Sequence, residues 1–173
     1  MIILIILALR LIIPFTIFRW PLLGGLLAFA ADFYDFPLLN SFGWGFLTPE
    51  TYQPVDKMLD IYYLSFEFLV ALRWRDLLAR KSAIAFFSWR LIGVIAFELT
   101  QMRKLLFFAP NIFEYFYLAL LTIKKFRPAF RLTRKTLAIM LLVVGVPKLV
   151  HEYILHYLEY PLGFRVIWDF VFR

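Results

Sequence analysis

The sequence predicts an all-α, polytopic integral membrane protein, a single bundle of about six transmembrane or membrane-embedded helices in one domain, residues 1–173. Three observations lead there. The chain is 63% hydrophobic with a mean hydropathy of +0.79, against about 45–50% apolar in ordinary soluble domains. A span takes roughly 20 residues, so 173 residues hold at most about six with short loops and leave no room for a separate soluble domain. Alternation of β type is missing, and the apolar runs are too continuous for barrel strands. Aromatics at 20% exclude disorder, and the absence of cysteine excludes disulfides, thiolate catalysis and Cys-ligated metals.

Apolar windows place helices at about Ile2–Phe18, Pro21–Leu38, Asp56–Leu72, Ser82–Thr100, Asn111–Ile123 (Leu105 being an alternative start) and Thr136–Tyr157. The longest stretch without an ionisable residue, Phe36–Pro49, is only 14 residues long, so each span carries one or two ionisable groups. The first segment ends at Arg19 and Pro21; a turn this short also admits a re-entrant first segment. Ala28-Phe29-Ala30 resembles a signal-peptide cleavage site, but no basic residue precedes the apolar run and Arg10, Pro14, Arg19 and Pro21 interrupt it, so cleavage is not expected. Gly24-Gly25 suits close helix packing. Thr48-Pro49-Glu50 reads as an N-cap, a proline at the first helical position and an acid in the first turn, starting a short interfacial helix before Pro54. Asn111 with Glu114 has capping-box spacing after Pro110.

Positive charge fixes the orientation. Arg19, four basic residues in Arg73–Lys81 and six in Lys124–Lys135 make eleven on one side of a six-span arrangement; Arg103, Lys104, Arg165 and Arg173 make four on the other. Both termini are expected outside, in the manner of a bacterial cytoplasmic (inner) membrane protein. The basic stretch Lys124–Lys135 is read as an inner loop meeting anionic headgroups rather than nucleic acid.

At a rise of about 1.5 Å per residue, acidic and histidine side chains from five helices approach the outer face. Asp32 and Asp35 share a face of the second helix. Asp56, Asp60 and Glu67 fall four and seven residues apart on one stripe of the third. Glu98, Glu114, Lys148, His151, Glu152 and His156 complete the set. Intramembrane ionisable groups are costly and turn inward, pair or line a cavity. Four aspartates at one depth need compensation, from Lys57, Lys148 and Arg10 or from a divalent cation; oxygen ligands suit Mg²⁺, Mn²⁺ or Ca²⁺. The alternative is a set of interhelical ion pairs. Glu67 and Arg90, at similar depth, are expected to form a structural ion pair joining two helices.

Other chemistry is excluded. His151 and His156 are five apart, about 140° around a helix, so the zinc-protease pattern fails. No Gly-rich phosphate loop and no Gly-x-Ser-x-Gly elbow occur.

At Ala31-Asp32-Phe33-Tyr34-Asp35, at Tyr52-Gln53-Pro54-Val55-Asp56-Lys57-Met58-Leu59-Asp60-Ile61-Tyr62-Tyr63-Leu64, and on through Arg90-Leu91-Ile92-Gly93, Phe97-Glu98-Leu99-Thr100 and Pro110-Asn111-Ile112-Phe113-Glu114, the chain resembles a group of uncharacterised bacterial multi-pass membrane proteins. That resemblance implies a membrane protein and no assigned activity. Asp32-x2-Asp35 and Asp56-x3-Asp60 on consecutive helices also look like the Asp-x2-Asp-Gly-x2-Ala-Arg-x8-Gly-x3-Asp-x3-Asp motif of CDP-alcohol phosphotransferases. The second resemblance implies that the four aspartates are metal ligands and Asp60 also a base. Phe36, Leu39-Asn40 and Tyr52 depart from the motif's glycine, Ala-Arg and last glycine, and that family's site faces the cytoplasm.

The reading placed first is an acidic, membrane-embedded site near the outer face that binds a small cation or polar headgroup, in transport. The enzymatic alternative is a divalent-metal-dependent (Mg²⁺ or Mn²⁺) lipid or phosphoryl-group transferase in which Asp32, Asp35, Asp56 and Asp60 hold the ion and His151 or Glu152 shuttles a proton. The third is a structural subunit of a membrane complex. Membrane lipids are the expected partners, with a membrane-protein partner or a second copy of the chain as further candidates.

Overall fold

The computed structural model describes residues 2–43, 45, 48–102 and 104–153. Among them the chain is entirely helical: α1 (Ile2–Ile12), α2 (Thr16–Arg19), α3 (Pro21–Phe42), α4 (Pro49–Ala71), α5 (Leu77–Thr100), α6 (Lys104–Phe108), α7 (Ile112–Phe126), α8 (Arg134–Met140) and α9 (Val146–Glu152). These join into six segments, as expected, because three of the breaks are local. Pro14 cannot donate to the carbonyl four residues back, and the chain crosses Ile13–Phe15 as a 3₁₀ turn between α1 and α2. Pro147 has the same defect, and the five residues Leu141–Gly145 before the helix that contains it adopt π geometry. Ala109-Pro110-Asn111 separates α6 from α7.

Helix ends follow the sequence signals. Trp20, preceding Pro21, leaves helical geometry at φ −133°, ψ 79° and turns the chain between α2 and α3. Thr48 caps α4, its hydroxyl accepting from the Thr51 N–H while the Thr51 hydroxyl accepts from the Thr48 N–H at 2.8 Å. The short helix expected to end before Pro54 is instead the first turn of α4. A proline there forfeits only the bond to a carbonyl of that turn, and tertiary packing carries the helix through. α5 begins five residues earlier than expected because Asp76 caps it, accepting from the Ala79 N–H at 3.1 Å.

Four segments are long and apolar enough to cross a membrane: Ile2–Arg19, Pro21–Phe42, Leu77–Thr100 and Lys104–Phe126. Their outer faces carry large exposed apolar side chains, among them Leu4, Leu26, Trp89 and Ile92, which suit a hydrocarbon solvent and would drive association in water. α4 lies among α1, α2, α3, α5 and α7, so Asp60 and Glu67 are buried in protein. The core toward the α4–α5 turn is aromatic. Phe68 stacks on Phe87 with centroids 4.2 Å apart, and Trp74 on Tyr117 at 5.6 Å. A smaller cluster of Ile3, Ile6, Leu39 and Tyr52 closes the other end.

Gly24 permits the close approach of α2 and α3: a Cβ there would fall 2.5 Å from the Ile17 backbone nitrogen. Gly93 does the same where α5 meets the α6–α7 break, since a Cβ would lie 2.0 Å from that of Ala109. The carbonyls ending α6 find donors on α5. Trp89 Nε1 donates to Phe108 at 2.9 Å and Arg90 Nη1 to Ala109 at 3.0 Å.

Candidate functional site: an aspartate cluster around Arg10

α3 and α4 deliver the aspartates. Asp32 and Asp35 lie one turn apart on α3; Tyr52, Asp56 and Asp60 follow at four-residue intervals on α4, so one face of each helix presents oxygen to the other. α1 delivers Arg10, which is buried at 4% exposure. Its Nη1 donates to Asp35, to Asp56 at 2.7 Å and to the Tyr52 hydroxyl at 3.1 Å; its Nη2 donates to Asp32 and to Asp60 at 3.0 Å. A single guanidinium therefore bonds all four aspartates. The planar fork of arginine suits this task; an ammonium could not offer the same spread of donors.

Two further cations join. Lys57 Nζ donates to Asp56 at 2.7 Å and Asp60 at 3.1 Å, and Arg90 Nη2 reaches Asp60 at 3.5 Å. The Tyr52 hydroxyl donates to Asp35. Asp35 and Asp60 are nearly covered, with side chains 4% and 6% exposed, whereas those of Asp32 and Asp56 are 25% and 20% exposed. The cluster therefore has a closed side and an open one.

Oxygens of Asp32, Asp35 and Asp56 lie within 4.8 Å of one another, an all-oxygen set of the kind hard divalent cations take. Arg10 donates to each of those three residues. The donor set thus fits Mg²⁺ or Mn²⁺ in chemistry, and an ion in its midst would share or displace the guanidinium.

The expected pair of Glu67 and Arg90 is corrected. Both are buried, at 0% and 2% exposure, but Arg90 turns to Asp60 and to the carbonyl of Ala109, and neither Glu67 oxygen has a hydrogen-bond partner among the described residues. Equal calculated depth did not bring them together because the broken α6–α7 segment offers Arg90 an unpaired carbonyl. Glu114 does serve a cap, its N–H donating to Asn111 Oδ1 at 3.4 Å, and it does more. It is 2% exposed and accepts from the Tyr63 hydroxyl at 2.6 Å and from Asn111 Nδ2 at 2.9 Å. Lys148 lies over the Tyr115 ring, 5.3 Å from its centroid. His151, Glu152 and Glu50 are described by their backbone alone, and His156 lies outside the described residues.

Asp76 was not singled out from the sequence. Its second oxygen accepts from the Leu132 N–H at 2.7 Å, tying the α4–α5 turn to the α7–α8 loop. Partial burial opposes ionisation there, but the N–H groups of Leu132 and Ala79, with Lys124 nearby, hold its carboxyl below the usual aspartate range.

The fold and this site define a helical membrane protein with a buried acidic cluster and buried salt bridges. Comparison with protein-family models, curated proteins and solved structures finds no match to the chain.

Proposed function

We propose that the protein binds a small cation, or the cationic part of a polar headgroup, at the aspartate cluster near the outer face, and that this binding serves transport. The observation that carries the reading is the convergence of Asp32, Asp35, Asp56 and Asp60 on Arg10. Among the described residues, the cations bonded to these aspartates are Arg10, Lys57 and Arg90. Four carboxylates thus face three cations, and a bound monovalent charge balances the set. The ligand reaches it from the exposed side of Asp32 and Asp56. Thermal unfolding in detergent with Mg²⁺, Mn²⁺, Ca²⁺, Na⁺, an ammonium headgroup analogue or chelator tests this. A ligand bound to the native state alone adds about 2.7 kcal/mol at a hundredfold excess over its dissociation constant. Wild type should be stabilised by one of these cations and Asp32→Asn with Asp56→Asn should lose the effect. Superimposable curves in every condition would sink the reading.

A second reading has its own observation. The Asp-x2-Asp and Asp-x3-Asp pairs meet across α3 and α4, as a divalent-metal-dependent lipid or phosphoryl-group transferase would require. Such an ion would supply Lewis-acid activation at Asp32, Asp35 and Asp56. Asp60 accepts from Arg10, Lys57 and Arg90, and would act as a base only after giving up these bonds. Turnover of a CDP-linked lipid substrate by the purified protein with Mg²⁺ or Mn²⁺ would favour this reading over transport.

A further inference from the structure

A second acidic locus lies deeper on α4, seven residues beyond Asp60 and so about 10 Å along the helix axis. Glu67 is 0% exposed, and both of its carboxyl oxygens lack a hydrogen-bond partner among the described residues. The space that holds it exists because residue 25 is glycine. A Cβ at Gly25 would fall 2.8 Å from Glu67 Oε1, 3.0 Å from Leu118 Cδ2 and 3.3 Å from Tyr117 Cε1. The carboxyl therefore occupies the junction of α3, α4 and α7.

Glu114 lies on α7 and is bonded to α4 through Tyr63. It precedes Leu118 by four residues on α7, and its bonding partner Tyr63 precedes Glu67 by four residues on α4. The two carboxyl groups have opposite surroundings. Glu114 accepts from Tyr63 and from Asn111. Among the described residues, nothing donates to Glu67.

We propose that Glu67 is a proton-binding carboxyl inside the bundle. Burying an ionised carboxylate without donors costs far more than burying the neutral acid, so Glu67 keeps its proton. Glu114, by contrast, accepts a hydrogen bond at each oxygen.

The charged and titratable groups around Glu67 are accounted for element by element. On α1 Arg10 is engaged by the aspartates, and on α2 Arg19 is exposed. On α3 the facing residue is Gly25, while Asp32 and Asp35 belong to the cluster around Arg10. On α5 Arg90 is turned to Asp60 and Ala109. On α7 Tyr117 borders Glu67, and Glu114 is bonded to Tyr63 and Asn111. The ligand here is a proton, so this site stands apart from the cation reading of the aspartates.

Infrared difference spectroscopy of the full-length protein in liposomes, titrated from acid to alkaline pH in H2O and D2O, reads the protonated carboxyl directly. Wild type should show a protonated-carboxyl C=O band at neutral pH. Glu67→Gln should abolish that band, and Glu67→Asp should restore one at a shifted frequency. Absence of the band in wild type overturns the assignment whether or not the variants fold. So does a band that survives in Glu67→Gln, or one lost in Asp32→Asn or Glu98→Gln instead. Divalent cations play no part in this readout, so its failure and that of the cation-binding reading are separate results.

Discussion

The Tyr63 hydroxyl donates to Glu114 Oε1 at 2.6 Å and so bonds α4 to α7 through a buried charge-bearing group. Both side chains are at most 3% exposed, and water cannot replace the donor. Tyr63→Phe should therefore destabilise the protein by about 1–3 kcal/mol, the penalty for stranding a buried acceptor. Tyr62→Phe removes an exposed hydroxyl bonded to the Leu11 carbonyl and should cost less. Paired melting curves of the two variants in detergent check the order; equal losses would contradict it.

Arg10→Gln should be among the most damaging single substitutions. It withdraws one guanidinium from four aspartates, and breaking a buried pair typically costs about 3–5 kcal/mol. A divalent cation should recover more stability in this variant than in wild type, because the oxygens of Asp32, Asp35 and Asp56 are then relieved of their internal competitor. Arg10→Lys should recover only part of the loss, since an ammonium lacks the fork. The measurement is the shift in melting temperature with added Mg²⁺ for all three proteins.

Asp76 predicts an acid-dependent component of stability. Its folded-state carboxyl titrates below the usual range, so its contribution is complete above the unfolded value of about 3.9 and is lost as pH falls through the lower folded value. Asp76→Ala removes the cap and the tie to Leu132, a loss of about 0.5–2 kcal/mol by cap statistics. The gap between wild type and variant should be widest at neutral pH and close on acidification. A gap constant down to the acid limit would contradict the assignment.

Orientation is open to direct measurement because the chain has no native cysteine. Single cysteines at Gly43 and Thr133 should react with impermeant reagent from opposite sides of intact cells. Eleven basic residues against four predict Thr133 inside and Gly43 outside. Labelling of both from outside would reverse the placement of the aspartate cluster.

Much of the fold was legible because length, hydropathy and proline positions are local properties. Trp20-Pro21, Thr48 and Asn111 marked helix starts that the structure retains. Pro54 misled: it stands inside α4 and forfeits one helical hydrogen bond, yet packing against the neighbouring helices carries α4 through it. The aspartate cluster was legible from four-residue spacing, and the same rule would have added Tyr52 and Tyr63 to the α4 stripe. The centrality of Arg10 was not legible, because its role depends on α1 turning back at Trp20 to meet α3. Nor was the partner of Arg90, a backbone carbonyl exposed only by the break before α7. Side-chain spacing says nothing of a carbonyl orphaned on another helix.

The turn at Trp20, tightened by Gly24 against the backbone of Ile17, bears on how the chain enters the bilayer during synthesis. An arginine or aspartate at mid-helix costs about 2.5–3.5 kcal/mol each on insertion scales. α1 carries such an arginine, α3 carries two such aspartates, and the turn sets them face to face before α4 has emerged. The first two segments thus form a helical hairpin that neutralises part of its own charge, handed to the membrane as one object rather than as two reluctant spans. In an insertion assay residues 1–43 should enter with higher efficiency than either helix presented alone, and the remaining helices then assemble around a salt bridge already in place.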